Sequence, residues 1–136
     1  MRFVTVNPPN DIVRICGRAN AGLSQGYCLY VTSGAGDAGA NSGSIALNRR
    51  TAGAPVQLGS TANNLDILVG TWHTYRLSIS GVGTATLRAF LDDVAVNLGT
   101  PPITDGPTPA AYAAGQVALG VRDVTADFDN LIVSSP

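Results

Sequence analysis

Apolar and polar residues alternate with a period of two in short bursts, and each burst is bounded by Gly, Asn, Asp, Ser or Pro. Strands can use that pattern and helices cannot, because successive side chains point to opposite faces only in an extended chain. About ten bursts meet the criterion. They run Phe3 to Val6, Ile12 to Arg18, Tyr27 to Thr32, Ser44 to Arg49, Pro55 to Leu58, Thr71 to Ser80, Ala85 to Leu91, Val94 to Leu98, Gly115 to Val121 and Asp127 to Val133. Many short strands at this spacing predict an all-β sandwich or barrel with antiparallel connections. Composition agrees. All eight basic residues are Arg and all nine acids are Asp, so Lys and Glu, two strong helix formers, are absent, while 16 Gly and 8 Pro supply turns.

With 136 residues, a folded chain buries about two-thirds of its extended surface, enough for one ordinary core. A single domain over 1–136 is expected. The net charge is −1 and the arginines are scattered, so no basic stripe suits a phosphate backbone and nucleic acid is not an expected partner. No apolar run reaches the length of a membrane span, and the first residues show no signal peptide; membrane insertion is not expected. Two segments read as loops. Ser33 to Gly43 is aperiodic and rich in small polar residues, and Thr100 to Ala114 carries Pro101-Pro102 and Pro107-Thr108-Pro109, which exclude interior strand pairing.

One hairpin is legible in register. With Ala21-Gly22-Leu23 near its centre, Val13 faces Val31, Ile15 faces Leu29, Arg14 faces Tyr30 and Cys16 faces Cys28. The aliphatic pairs share one face, and Arg14, Cys16, Arg18, Cys28 and Tyr30 share the other. Two Cys directly opposite each other can close a disulfide, which implies an oxidising environment; two small reduced buried thiols fit the same positions. A zinc ribbon is excluded, since there is no CxxC and only one His.

The polar face supplies the candidate ligand-binding residues: Arg14, Arg18 and Tyr30, extended by Asn48 and Arg50 if the following strand pairs alongside. Sugar recognition uses an aromatic plate beside planar polar groups, and this set has both. The structural alternative is that the tyrosine joins a core and the arginines serve solubility. Trp72 and His73 open the longest alternating burst and read as its anchors, because a lone His without a nucleophile or an orienting group lacks the geometry of acid/base catalysis. Asp92-Asp93 reads as a turn, and Asp127 and Asp129 share a face at i, i+2.

The second half carries an ordered set of features: Gly70-Thr71-Trp72-His73 leading to Ser80-Gly81, then Leu87 to Asp93, then Gly115-Gln116-Val117-Ala118-Leu119-Gly120, then Asp127-Phe128-Asp129-Asn130-Leu131-Ile132-Val133. With Gly17-Arg18-Ala19 and Gly26 to Tyr30, this order resembles the concanavalin A-like lectin/glucanase superfamily, including laminin-G-like domains. Two departures stand out: Asp93 replaces a hairpin Gly, and the N-terminal strands are shorter than the family's, so that either the domain is a trimmed version or a neighbouring chain or a further segment completes the sheet edge. The resemblance implies an antiparallel jelly-roll β-sandwich. It also implies a structural calcium with Asp129 as candidate ligand, against the plainer reading that Asp129-Asn130 ties down a loop. Glycosidases of this family use paired Glu, which this chain lacks, so an enzyme, glycoside-active or otherwise, is not expected and no catalytic residue is assigned. The expected function is a non-catalytic, extracellular or virion-surface recognition or adhesion module for a glycan or protein surface. The competing expectation is a structural or decoration protein of a larger, oligomeric assembly such as a phage particle.

Overall fold

The computed structural model describes residues 1–6, 11–34, 43–52, 55–61, 64–99, 102–106 and 112–134. These residues form an all-β fold with antiparallel pairing throughout. The strands are β1 (Arg2–Val6), β2 (Ile12–Ala19), β3 (Gly26–Thr32), β4 (Ser44–Arg50), β5 (Pro55–Ser60), β6 (Tyr75–Ser80), β7 (Ala85–Leu91), β8 (Val94–Ala95), β9 (Ile103–Asp105), β10 (Gln116–Arg122) and β11 (Val124–Asp127). A five-stranded sheet has the order β10-β2-β3-β4-β5; a second places β6 on one edge of β7 and β8 with β9 on the other; β1 and β11 form a two-stranded ribbon.

The two larger sheets pack through residues of alternate position, as a sandwich requires. From the five-stranded sheet, Val13, Tyr27, Leu29, Val31, Ile45 and Leu47 are buried in one cluster with Ala85, Leu87 and Ala89 of β7, and Tyr75, Leu77 and Ile79 of β6 pack against it. The sheets approach so closely at Gly17 that a Cβ there would lie 2.8 Å from Ile79 Cδ1. A polar tie crosses the same interface. The buried Asp105 accepts from the Tyr27 hydroxyl at 3.0 Å and from Arg49 Nη1 at 2.6 Å, joining β9 to β3 and β4. Burial and the neighbouring Asp105 carboxylate hold the Tyr27 proton well above the ordinary phenol range.

The predicted hairpin register is the observed one, residue for residue, from Val13↔Val31 to Cys16↔Cys28. The strand expected over Val94 to Leu98 spans only Val94–Ala95, and three further expectations change. The Thr100 to Ala114 segment, expected as loop, contains β9: Pro102 precedes the strand, so no ladder donor is lost, and β9 pairs along one edge with β7 only. The long burst from Thr71 begins as a strand only at Tyr75, because the preceding residues turn at Gly70 (φ 84°) and His73 exchanges backbone hydrogen bonds with Met1 instead. The closing strand is β11, not Asp127 to Val133: β1 pairs with Val124–Asp127, and at Asn130 the chain turns left-handed (φ 52°) with its N–H capped by Asp129 Oδ1. Beyond it Leu131, Ile132 and Val133 are exposed. Most of Ser33 to Gly43 lies outside the described residues.

Candidate functional site

The outward face of the five-stranded sheet gathers four of the five candidate ligand residues. Arg14 on β2 is opposite Tyr30 on β3, and Cys28 separates Tyr30 from the row in which Asn48 lies opposite it on β4. The Arg14 guanidinium sits 5.3 Å from the centre of the Tyr30 ring, a cation–π placement. Arg50, at the end of β4, reaches back across the face: its Nη1 donates to the Tyr30 hydroxyl at 2.8 Å and its Nε to the Leu23 carbonyl at 2.7 Å. Asn48 is buried beside them at 5% exposure. Next to this group on the same face, Cys16 and Cys28 are joined by a disulfide, with Cα atoms 4.0 Å apart, in a small apolar cluster with Ala19, Leu23, Tyr30 and Ala118. The tyrosine is therefore packed against the cross-linked cluster, with Arg14 over its ring and Arg50 on its hydroxyl.

Arg18 is not part of this face. It adopts a left-handed conformation (φ 51°), and between Ala19 and Cys16 the pairing with β10 skips a residue, a β-bulge that breaks the alternation. Ala19 consequently joins the cysteine face, and Arg18 turns toward the other sheet, donating through Nη1 to the Gly81 carbonyl at 2.7 Å and the Tyr112 carbonyl at 3.4 Å. Strict alternation concealed this, and Gly17 immediately before Arg18 was the only local sign of a bulge.

His73 acquires the orienting partner that its sequence neighbourhood lacks. Asp92 and Asp93 form the turn between β7 and β8 with φ of 49° and 64°, the two-residue primed geometry that tolerates Asp. That turn places Asp92 Oδ2 2.8 Å from His73 Nδ1 and lets Oδ1 accept from the Thr74 N–H at 2.8 Å. Burial alone would raise the Asp92 carboxyl, but the hydrogen bonds from His73 and Thr74 outweigh it and hold the group below the usual aspartate range. His73 Nε2 is buried and has no hydrogen-bond partner among the described residues, and Nδ1 is taken up by Asp92, so the imidazole is held in place through that one contact. It fastens the approach to β6 onto the β7–β8 turn. Trp72 stays half-exposed with Arg2 5.1 Å from its ring, and Arg2 pairs with Asp127 at 2.9 Å.

Asp129, the candidate calcium ligand, is exposed and spends one oxygen on the Asn130 N–H. Among the described residues no group of three or more His, Cys, Asp or Glu converges there or elsewhere; a hard cation needs about six to eight oxygens, most of which would have to come from backbone carbonyls. A cleft of about 520 Å³, not anticipated from sequence, opens between the end of β5 and the β7–β8 region, bordered by Ser60, Asn64, Leu91, Val96 and Asn97. Among the described residues no ionisable or aromatic side chain lines it.

No family model, curated protein or solved structure matches this chain. The Arg14–Tyr30–Arg50 face is thus read on its own chemistry.

Proposed function

We propose that the protein is a non-catalytic recognition module, a jelly-roll β-sandwich of the concanavalin A-like type, that binds a glycan through the outward face of its five-stranded sheet. The observation that carries this reading is the preorganised Arg14–Tyr30–Arg50 group beside the disulfide: planar, hydrogen-bonding and aromatic side chains held on rigid strands, the arrangement that fixes a ligand at low entropic cost. An oxidising, extracellular or particle-surface setting fits the cross-link. Retention on immobilised polysaccharides tests the proposal. The wild-type protein is expected to be retarded by at least one polysaccharide and Tyr30→Ala to run freely while remaining folded; equal mobility of the two on every polysaccharide would overturn it.

A second reading, a subunit of a larger assembly, is favoured by a different observation. Leu131, Ile132 and Val133 expose 60%, 84% and 64% of their surface, and β10 leaves one edge of its sheet unpaired among the described strands. Contiguous exposed aliphatics and an open sheet edge each suit docking to another chain. Light scattering separates the readings: a defined oligomer that dissociates on Ile132→Asp supports assembly, and a monomer that still binds polysaccharide supports the module.

A further inference from the structure

Among the described residues the outward face offers cationic hydrogen-bond donors with no carboxylate to match them, and that asymmetry bears on the ligand's charge. Three groups make it. Arg14 is held over the Tyr30 ring, and its Nε is buried without a hydrogen-bond partner. Arg50 spends Nε on the Leu23 carbonyl and Nη1 on the Tyr30 oxygen, and the guanidinium retains further N–H groups. The Tyr30 oxygen accepts from Arg50, so its own O–H is left to donate outward. Neither arginine has a carboxylate within 4 Å among the described residues; the pairs that do form there are Arg2–Asp127, Arg49–Asp105, His73–Asp92 and Arg122–Asp123.

Two cations bracketing one tyrosine, partly withdrawn from water and uncompensated, carry a desolvation cost that an anion would offset. A neutral sugar does not answer that need, because its hydroxyls can accept these hydrogen bonds but bring no negative charge to offset the two cations. An oxyanion at the surface accepts from the outer guanidinium N–H groups of the two arginines and from the Tyr30 hydroxyl, and a planar carboxylate matches the paired Nη groups of a guanidinium, while the buried Arg14 Nε gains only from the added negative charge. With a net charge of −1 the rest of the molecule has no general attraction for polyanions, so binding of one would be local to this face.

We infer that the Arg14–Tyr30–Arg50 face is an oxyanion-binding site and that the glycan it takes is acidic, with a uronate carboxylate seated between Arg14, Arg50 and the Tyr30 hydroxyl. This rests on the recognition reading above and narrows it to a ligand class. A sulfated sugar offers the same acceptor chemistry in tetrahedral form, and the experiment separates the two.

The test is affinity electrophoresis of the full chain at two salt concentrations in gels holding dextran, dextran sulfate or polygalacturonate. Retardation by polygalacturonate, weakened by salt and absent in dextran, is expected. Each charged donor is replaced singly. Arg14→Gln and Tyr30→Phe are each expected to lower the apparent affinity by at least about tenfold, as loss of a charge-assisted hydrogen bond implies. Arg76→Gln serves as control, since that side chain is stacked on Phe90 in the other sheet, and it should leave retardation unchanged. Because Arg50 also holds the Leu23 carbonyl, Arg50→Gln is judged only beside its circular dichroism spectrum, and Arg14→Gln keeps the inference exposed to failure. Retardation by dextran sulfate alone assigns the site to sulfate and overturns the uronate. Retardation by neutral dextran that Arg14→Gln does not alter overturns the anion site while leaving glycan recognition standing. No retardation in any gel overturns the inference, and the recognition reading is then decided separately by the wider polysaccharide panel.

Discussion

Breaking the Cys16–Cys28 cross-link should cost the protein about 3 kcal/mol, with the loss residing in the unfolded chain. The bridge joins residues 12 apart in sequence, so in the chain-entropy model it withholds about 9.5 cal/mol/K from the denatured ensemble, equivalent to about 2.8 kcal/mol at 25 °C. Both sulfurs are buried, and substitution by alanine would add a small void beside Tyr30, worth up to about 1 kcal/mol. Two measurements separate these contributions. Urea unfolding of the wild type with and without reductant isolates the cross-link and should show a drop of about 3 kcal/mol, with a steeper dependence on urea because the reduced chain exposes more surface on unfolding. The Cys16→Ala, Cys28→Ala double variant should fall slightly further. A reductant effect below about 1 kcal/mol with unchanged urea dependence would refute the argument, since it would mean that the hairpin's strand pairing already confines the denatured chain as tightly as the bond does.

Other consequences follow from the packing and the charges. Asp105→Ala removes the acceptor shared by Tyr27 and Arg49; leaving a buried hydroxyl and a mostly buried guanidinium unpaired should cost about 3 kcal/mol in urea unfolding, and Asp105→Asn, which retains an acceptor, about half of that. Gly59→Ala would set a Cβ 2.5 Å from the Leu98 carbonyl oxygen, whereas at Gly17 the obstacle is the mobile tip of Ile79; the first should destabilise by about 1–3 kcal/mol and clearly exceed the second in thermal melts. The lowered Asp92 carboxyl stabilises the fold above the ordinary aspartate range and loses that contribution as pH falls through its folded value. Melting temperatures at pH 7 and pH 3 should therefore differ more for the wild type than for Asp92→Asn; equal differences would show that the His73–Asp92 contact carries no pH-dependent stability.

Local order was legible where two strands meet across a short turn, and it failed where distant segments compete for one partner. The β2–β3 register followed from placing Val13, Ile15, Leu29 and Val31 on one face, because a slip by one residue would have turned the aliphatics outward. Nothing local says that β1 pairs with Val124–Asp127 and so leaves Leu131, Ile132 and Val133 outside any described strand; that choice is made between residues more than a hundred positions apart. The candidate face shows the same division. Arg14 and Tyr30 were placed by alternation and Asn48 and Arg50 by extending it one strand further, but Arg18 was lost to a bulge whose left-handed residue carries an arginine rather than the usual glycine. The His73–Asp92 contact lay beyond reach for a third reason. It depends on a side chain folding back from a turn with two positive φ angles, so a residue that reads in the sequence as a turn former also supplies the carboxylate that fixes the histidine. The bulge and the turn thus have the same effect: each redirects one charged side chain from the face that alternation assigns it to a tie between strands, Arg18 to the Gly81 carbonyl and Asp92 to His73. Arg14 and Arg50 are not drawn into ties with carboxylates among the described residues, and that is why the proposed oxyanion site is placed on them.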